Sequence, residues 1–379
     1  MFCDVKGVLK MLDTCNVMVS VGTGLKEISI RLDKIFYRYG KTKTTADESD
    51  ATFNFKGYWI NNIRLKAEDN YKTVVYIDFS YPKFFYKDNK DLISTEQDRQ
   101  KVNNELLKLI KEFSNDNTLK LSNISYLRVD VAHQFEDVFE DYYLIFSMLY
   151  ETFVEVMGTE NKKSRKYIQI ENKKLFPQDY TTGFTYSKGE YKINVYNKTA
   201  QLAKKEYVPG KKSLIRIEQV FTKKFLTTRM PNFDNSSSID RFTMKKLKEV
   251  YSKFLEEKLW DRLNFILESR NLELKSRIIK VLKKSSRDIK AEIKDMQFLI
   301  IDYEMVRNII KDSDVDVKER MKRYYCNWVK DSLKATENNG NTRIKFFNNF
   351  MRLEKILFNI TGLKAKIEFI QGTPKIDTK

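Results

Sequence analysis

The sequence contains one histidine, His133, and that scarcity removes whole classes of chemistry. A histidine metal cage, a Ser/His/Asp triad and any motif built on two histidines cannot be assembled from one imidazole. His133 is followed by Gln134, Phe135 and Glu136, so the His-x-x-Arg box of a tyrosine recombinase is absent as well. Cysteine is nearly as sparse: Cys3, Cys15 and Cys326 stand far apart with no CxxC or CxxH spacing. Neither a disulfide framework nor a zinc site is implied, and a reducing cytoplasm is the expected compartment. Long hydrophobic runs are missing too. The most apolar stretch, YYLIFSMLYETFVEVM at 142–157, is interrupted by Glu151 and Glu155. It falls short of the roughly 20 residues needed to cross a bilayer, and is expected to be a buried helix ended by Gly158. The N-terminal residues lack a charged start, an apolar centre and a small-residue cleavage site, so no export and no membrane partner are expected. A phosphate-binding Gly-rich loop ending in Lys-Ser/Thr is also absent.

What is present in excess is positive charge. Lys and Arg number 70 against 52 Asp and Glu, a formal charge of +18 over 379 residues, which favours a polyanionic partner. With 41% hydrophobic residues the chain can still fill at least one sizeable core.

Periodicity divides the chain. Residues 53–80 alternate apolar and polar side chains around the turn-like KAEDN and read as paired strands. Ser94 and Gln97 form a capping-box pattern ahead of Val102, Leu106, Ile110 and Phe113, which predicts a helix. The strand YLRVDVAHQF, the apolar helix at 138–157 and the strands YIQIE, TGFTYS, EYKINVY and SLIRIEQVF follow. The expected fold class is α+β, a largely antiparallel sheet with flanking helices over residues 1–237. From residue 238 onward helical spacing takes over, and residues 241–290 carry 15 Lys plus Arg against 7 Asp plus Glu. Residues 238–379 are therefore expected to be a basic, mainly helical region for DNA binding or dimerisation, with Lys245, Lys246 and Lys248 as candidate phosphate contacts. A solvated basic face explains the same composition. Residues 343–362 read as a further helix and KAKIEFI as a short strand. No internal repeat is evident.

Three strands share an arrangement. Alternation places Arg128 and Asp130 on one face of YLRVDVAHQF, Arg216 and Glu218 on one face of SLIRIEQVF, and Asn194 and Tyr196 on the polar face of YKINVY, away from the core. If these strands are neighbours, two acids and a phenol converge. Two carboxylates without histidine or thiolate suit a hard cation, Mg²⁺ or Mn²⁺. A tyrosine hydroxyl beside a bound phosphodiester is then a competent nucleophile, with Lys198, Arg128 and Arg216 supplying further positive charge. The bland alternatives are structural ion pairs and a packed tyrosine with a wet hydroxyl.

Four segments, in order, resemble the rolling-circle replication initiators that include filamentous-phage gene II proteins and plasmid Rep proteins. They are VVYIDFSYPKFFYKDN, ISYLRVDVAHQF, INVYNKTAQL and LIRIEQVFTKKFL, spanning about residues 55–230. The resemblance implies Tyr196 as the nicking nucleophile, Asp130 and Glu218 as metal ligands and Lys198 as a phosphate contact. Arg128, Arg216, Lys223 and Lys224 would be further DNA contacts. It also implies origin DNA as substrate, with host helicase and polymerase as partners. Some plasmid members have a second acid four positions after the first, where this chain has Gln134. A plasmid-transfer relaxase and a non-catalytic origin-binding regulator are the competing expectations.

Overall fold

Val17, Val19 and Val21 alternate with Asn16, Met18 and Ser20 along β1 (Leu12–Val21), and this strand, unmarked by the periodicity described above, lies at the centre of the sheet. In the computed structural model the residues described are 11–37, 42–45, 49–86, 88–142, 145–146, 169–170, 180–181, 183–188, 190–203, 208, 210–228 and 237–257, with shorter stretches at 272–273, 275–280, 282–283, 303–311, 319–320, 322–327 and residue 353.

After β1 come α1 (Leu25–Ile35), β2 (Thr42–Thr45), β3 (Asp50–Asn54), β4 (Ile60–Ala67), β5 (Thr73–Ser80), α2 (Tyr81–Phe85) and α3 (Glu96–Ser114). Then follow β6 (Ser125–Val138), the short pair β7 (Gln169–Ile170) and β8 (Tyr180–Thr181), β9 (Gly183–Lys188), β10 (Tyr191–Asn197), α4 (Lys198–Ala203), β11 (Lys212–Thr222), α5 (Lys223–Thr228), α6 (Met244–Leu255) and α7 (Tyr303–Lys311). Nine strands form one sheet in the order β2-β3-β4-β5-β1-β6-β11-β10-β9, and β7 with β8 form a separate antiparallel pair. The fold class is α+β, as expected from the run of strands and helices.

The apolar rows of β1, β4 and β5, among them Val17, Val19, Ile63, Leu65, Val75 and Ile77, are fully buried on the side of α1 and α3. Each such side chain contributes about 1.5–3 kcal/mol by leaving water. Helix α3 buries Val102, Leu106, Leu109, Ile110 and Phe113 at helical spacing. Its N-cap is Thr95, one residue later than expected: Thr95 Oγ1 accepts from the Asp98 amide at 3.0 Å and donates to Asp98 Oδ2 at 2.7 Å. The helix ends on Asn115 in the left-handed conformation, φ 58°.

The topology repeats, contrary to the expectation of no internal repeat. In the first half β3-β4-β5 is a meander whose last strand lies beside β1, with α1 between β1 and the meander. In the second half β9-β10-β11 is a meander whose last strand lies beside β6. The halves meet at the antiparallel β1–β6 pair, where Asn16 lies opposite Arg128.

The chain divides into two compact units, residues 1–137 with 160–251, and residues 138–159 with 252–379. The division falls at 251 rather than 237, because α6 packs onto the sheet unit through Tyr251, whose hydroxyl donates to the Ile217 carbonyl at 3.1 Å. Among the described residues no strand occurs beyond Thr222, and no helix is long and apolar enough to cross a membrane. Most of the helix expected at 138–157 and, apart from residue 353, the helix and strand expected at 343–370 lie outside the described residues.

Candidate active site

The antiparallel register of β10 and β11 sets Asn194 opposite Glu218 and Tyr196 opposite Arg216. A phenol can therefore reach diagonally to the carboxylate two residues along the neighbouring strand. Tyr196 Oη donates to Glu218 Oε2 at 2.9 Å, and Asn194 Nδ2 donates to Glu218 Oε1 at 2.6 Å. Thr185 on β9 fixes Asn194 in turn, donating to its Oδ1 at 3.0 Å. Gly183, also on β9, lies opposite Tyr196, and a Cβ there would stand 2.6 Å from the Tyr196 Cβ. A hydrogen at that position is what lets β9 close over the tyrosine.

Asp130 comes from β6, the strand beside β11. It is 2% exposed, and both its oxygens accept from Arg128, Oδ1 from Nε at 2.7 Å and Oδ2 from Nη2. Burial, and next the charge of Glu218, push the Asp130 carboxyl well above the usual range, against the opposing pull of Arg128. Burial and then the charge of Glu218 likewise push the Tyr196 phenol up, so it rests protonated with its hydrogen on Glu218. Lys198, first residue of α4, is also buried. Its Nζ donates to Asn89 Oδ1 at 3.0 Å and Gln201 Oε1 at 2.9 Å, and lies 5.9 Å from the Tyr196 ring centroid. Burial, then the neighbouring Arg216 charge, lower it to about 8.

Tyr196 lies on the polar side of its strand and is 6% exposed, so its phenol is enclosed against Glu218. The role expected of Arg216 is corrected here. Arg216 is not a DNA contact. It is fully buried, bonding Asp13 Oδ2 at 2.6 Å through Nη1, Gln134 Oε1 through Nε and Nη2, and the carbonyls of Asn89 and Lys90 through Nη2. It thus ties β1, β6 and the 89–90 loop together under the site. Gln134, taken as a gap in a ligand shell, is one of the acceptors that hold Arg216.

Arg128 keeps a partly exposed side chain while holding Asp130. Lys223 is half-buried, and Lys224 is exposed and paired with Glu190 at 3.0 Å. Lys245 and Lys248 are exposed and Lys246 half-buried on α6, whose inner face buries Leu247 and Tyr251. His133 stacks on Phe135, ring centroids 6.4 Å apart, and burial lowers it to about 4. Asp13, Asn89 and Asn194 were not anticipated. Asn194 was readable from the same alternation that marked Tyr196, whereas Asp13 has no local signal.

Among the described residues no group of three or more His, Cys, Asp or Glu side chains gathers as a metal cage. Asp130 and Glu218 are the two hard oxygen donors of the site; Asp130 accepts from Arg128, and Glu218 accepts from Asn194 and Tyr196.

No family model matches the sequence, and no curated protein matches it. Among solved structures, the di-domain ARO/CYC BexL from the BE-7585A biosynthetic pathway aligns over 66% of this chain and 96% of its own, at 7% identity and a TM-score of 0.19, a likeness too slight to carry an argument.

Proposed function

We propose that the sheet unit is a DNA-nicking enzyme that uses Tyr196 as nucleophile, acting as a rolling-circle replication initiator. The observation that carries this reading is the 2.9 Å hydrogen bond from the Tyr196 phenol to Glu218, whose charge also helps push up the Asp130 carboxyl. In the reaction, Tyr196 Oη forms a bond to the scissile phosphorus and the bond from phosphorus to the 3′ oxygen breaks. Glu218 takes the phenolic proton as the attack proceeds, which suits a phenol that stays protonated at rest. The departing 3′ oxygen takes a proton from Lys198, whose value near 8 fits a donor at neutral pH. The products are a 5′-phosphotyrosine and a free 3′ hydroxyl able to prime synthesis; no nucleotide hydrolysis is needed because the ester conserves the strand energy. Asp130 and Glu218 are the residues that would hold Mg²⁺ or Mn²⁺, and a bound cation would neutralise charge on the phosphoryl oxygens. Arg128 holds Asp130 in place beside the site.

Origin DNA is the substrate on this reading, host helicase and polymerase follow as partners, and the basic α6 region serves duplex recognition or dimerisation. A plasmid-transfer relaxase shares the chemistry and differs in outcome. The regulator reading is separated by Tyr196→Phe: the enzyme loses nicking and keeps binding, whereas a Tyr196→Phe protein that still nicks removes Tyr196 as nucleophile.

A further inference from the structure

The two halves of the sheet carry one polar pattern in one register. In the second half Asn194 lies opposite Glu218 and Tyr196 opposite Arg216, and Lys198 follows. In the first half Asn62 lies opposite Asp78 and Arg64 opposite Tyr76, and Lys66 follows. Asn-x-Tyr-x-Lys against Arg-x-Glu has become Asn-x-Arg-x-Lys against Tyr-x-Asp, the aromatic ring and the guanidinium having changed places. Downstream the pattern continues, with Lys83 placed after Asp78 as Lys223 is after Glu218.

The halves differ in what the pattern can do. Among the described residues no phenol donates to Asp78: its Oδ1 takes Asn61 Nδ2 at 2.9 Å, and Asn61 Oδ1 takes Lys83 Nζ at 3.0 Å. The nucleophile–base pair is therefore missing. Burial differs as well. Where Tyr196 and Arg216 are buried, Arg64 is exposed and Tyr76 half-buried, with the guanidinium carbon 4.4 Å from the ring centroid. Along this side of the sheet Arg64, Lys66 and Arg128 are exposed cations, and Asn16, Met18 and Asn62 are half-buried. The row runs without a break into the candidate active site. Asp78 lies opposite Asn16, Asn16 lies opposite Arg128, and Arg128 holds Asp130.

We propose that the open face of the first half, centred on the Arg64–Tyr76 pair, is a track for single-stranded DNA leading to Tyr196. An unpaired base stacks on the Arg64–Tyr76 pair, and Arg64, Lys66 and Arg128 meet backbone phosphates. A single strand is specified because a stacking platform on an open sheet face needs a base face that base stacking hides inside a duplex, while the exposed cations complement the backbone charge. The duplicated half is thus a binding half, and the inference rests on the reading of Tyr196 as a DNA nucleophile.

The test measures binding of the full chain to a fluorescent oligo(dT) of about 20 nucleotides by anisotropy, the probe length covering one such site. Tyr76→Ala is expected to weaken binding about tenfold and Tyr76→Phe to keep it, because stacking needs the ring and not the hydroxyl. Arg64→Gln is expected to weaken binding and to reduce the slope of affinity against salt by about one phosphate contact. Undiminished binding by Tyr76→Ala, equal losses in Tyr76→Ala and Tyr76→Phe, or a duplex of the same length competing as well as the single strand would each overturn the track. Covalent adduct formation on the same proteins separates the two readings. Adduct at Tyr196 with binding indifferent to Tyr76 removes the track alone. Tyr76-dependent binding without any adduct removes the nucleophile alone.

Discussion

Arg216 shows how a single residue underpins the site without touching a substrate. All its described partners are internal, and Asp13 is as buried as the guanidinium it pairs with. Arg216→Met leaves that carboxylate without its counter-charge, and is expected to cost about 3–5 kcal/mol in chemical denaturation. Adding Asp13→Asn to the same protein should recover part of the loss; no recovery would mean the pair is not what Arg216 contributes. The pairing was illegible in the sequence because the partners lie 203 positions apart and a lone Arg-x-Glu strand looks the same whether it faces water or the interior. The Tyr196–Glu218 pair was legible, since alternation along two neighbouring strands is enough to put both on one face. His133 gives the pH dependence. Its lowered folded value means the unfolded chain binds the proton more readily, so its contribution is full above pH 6.5 and is lost as pH falls toward about 4. Between those limits His133→Gln is expected to flatten the stability profile by about 2 kcal/mol, allowing for the ring's partial exposure. A profile unchanged by the substitution would show that the imidazole is not desolvated.

At the scale of elements, the placing of Tyr196 depends on how β9 meets β10. Gly183→Ala would place a Cβ 2.6 Å from the Tyr196 Cβ and 2.7 Å from the Val195 carbonyl oxygen, so backbone must shift. A cost of about 1–3 kcal/mol and slower DNA nicking are expected together; loss of stability with an undisturbed nicking rate would show that Tyr196 tolerates the movement. The later strands were readable because β10 and β11 keep clean alternation. The central strand β1 alternates from Cys15 to Val21, but the register shift between Leu12 and Cys15 and the apolar Met18 in its outer row leave that signal short and blurred. The repeat escaped notice for a related reason. Only a few polar positions recur, with Tyr and Arg exchanged between strands, and the match emerges only once the cross-strand registers are known. The cap of α3 was misplaced by one residue since Ser94 and Thr95 are adjacent and either hydroxyl can cap.

For the whole molecule the excess of 18 positive charges is the property most readily tested. If α6 contributes to DNA affinity, replacing Lys245, Lys246 and Lys248 together with Gln should lower the log–log slope of affinity against salt by about 2–3. An identical slope would assign those lysines to solvation alone. Composition implies an excess of positive charge, but it could not distribute that charge between an open sheet face and a helix, because that depends on which side of each element is buried. The division of the chain into two units also escaped composition: residues 138–159 belong with the C-terminal unit although the sheet resumes after them in sequence.

The most direct measurement is the site of covalent attachment. After incubation with a labelled single-stranded origin hairpin and Mg²⁺ or Mn²⁺, proteolysis and mass spectrometry of the DNA-linked peptide are expected to show a 5′-phosphate ester on Tyr196, absent from Tyr196→Phe. Attachment to a different tyrosine, or cleavage of the hairpin with no protein-linked product, would contradict the account.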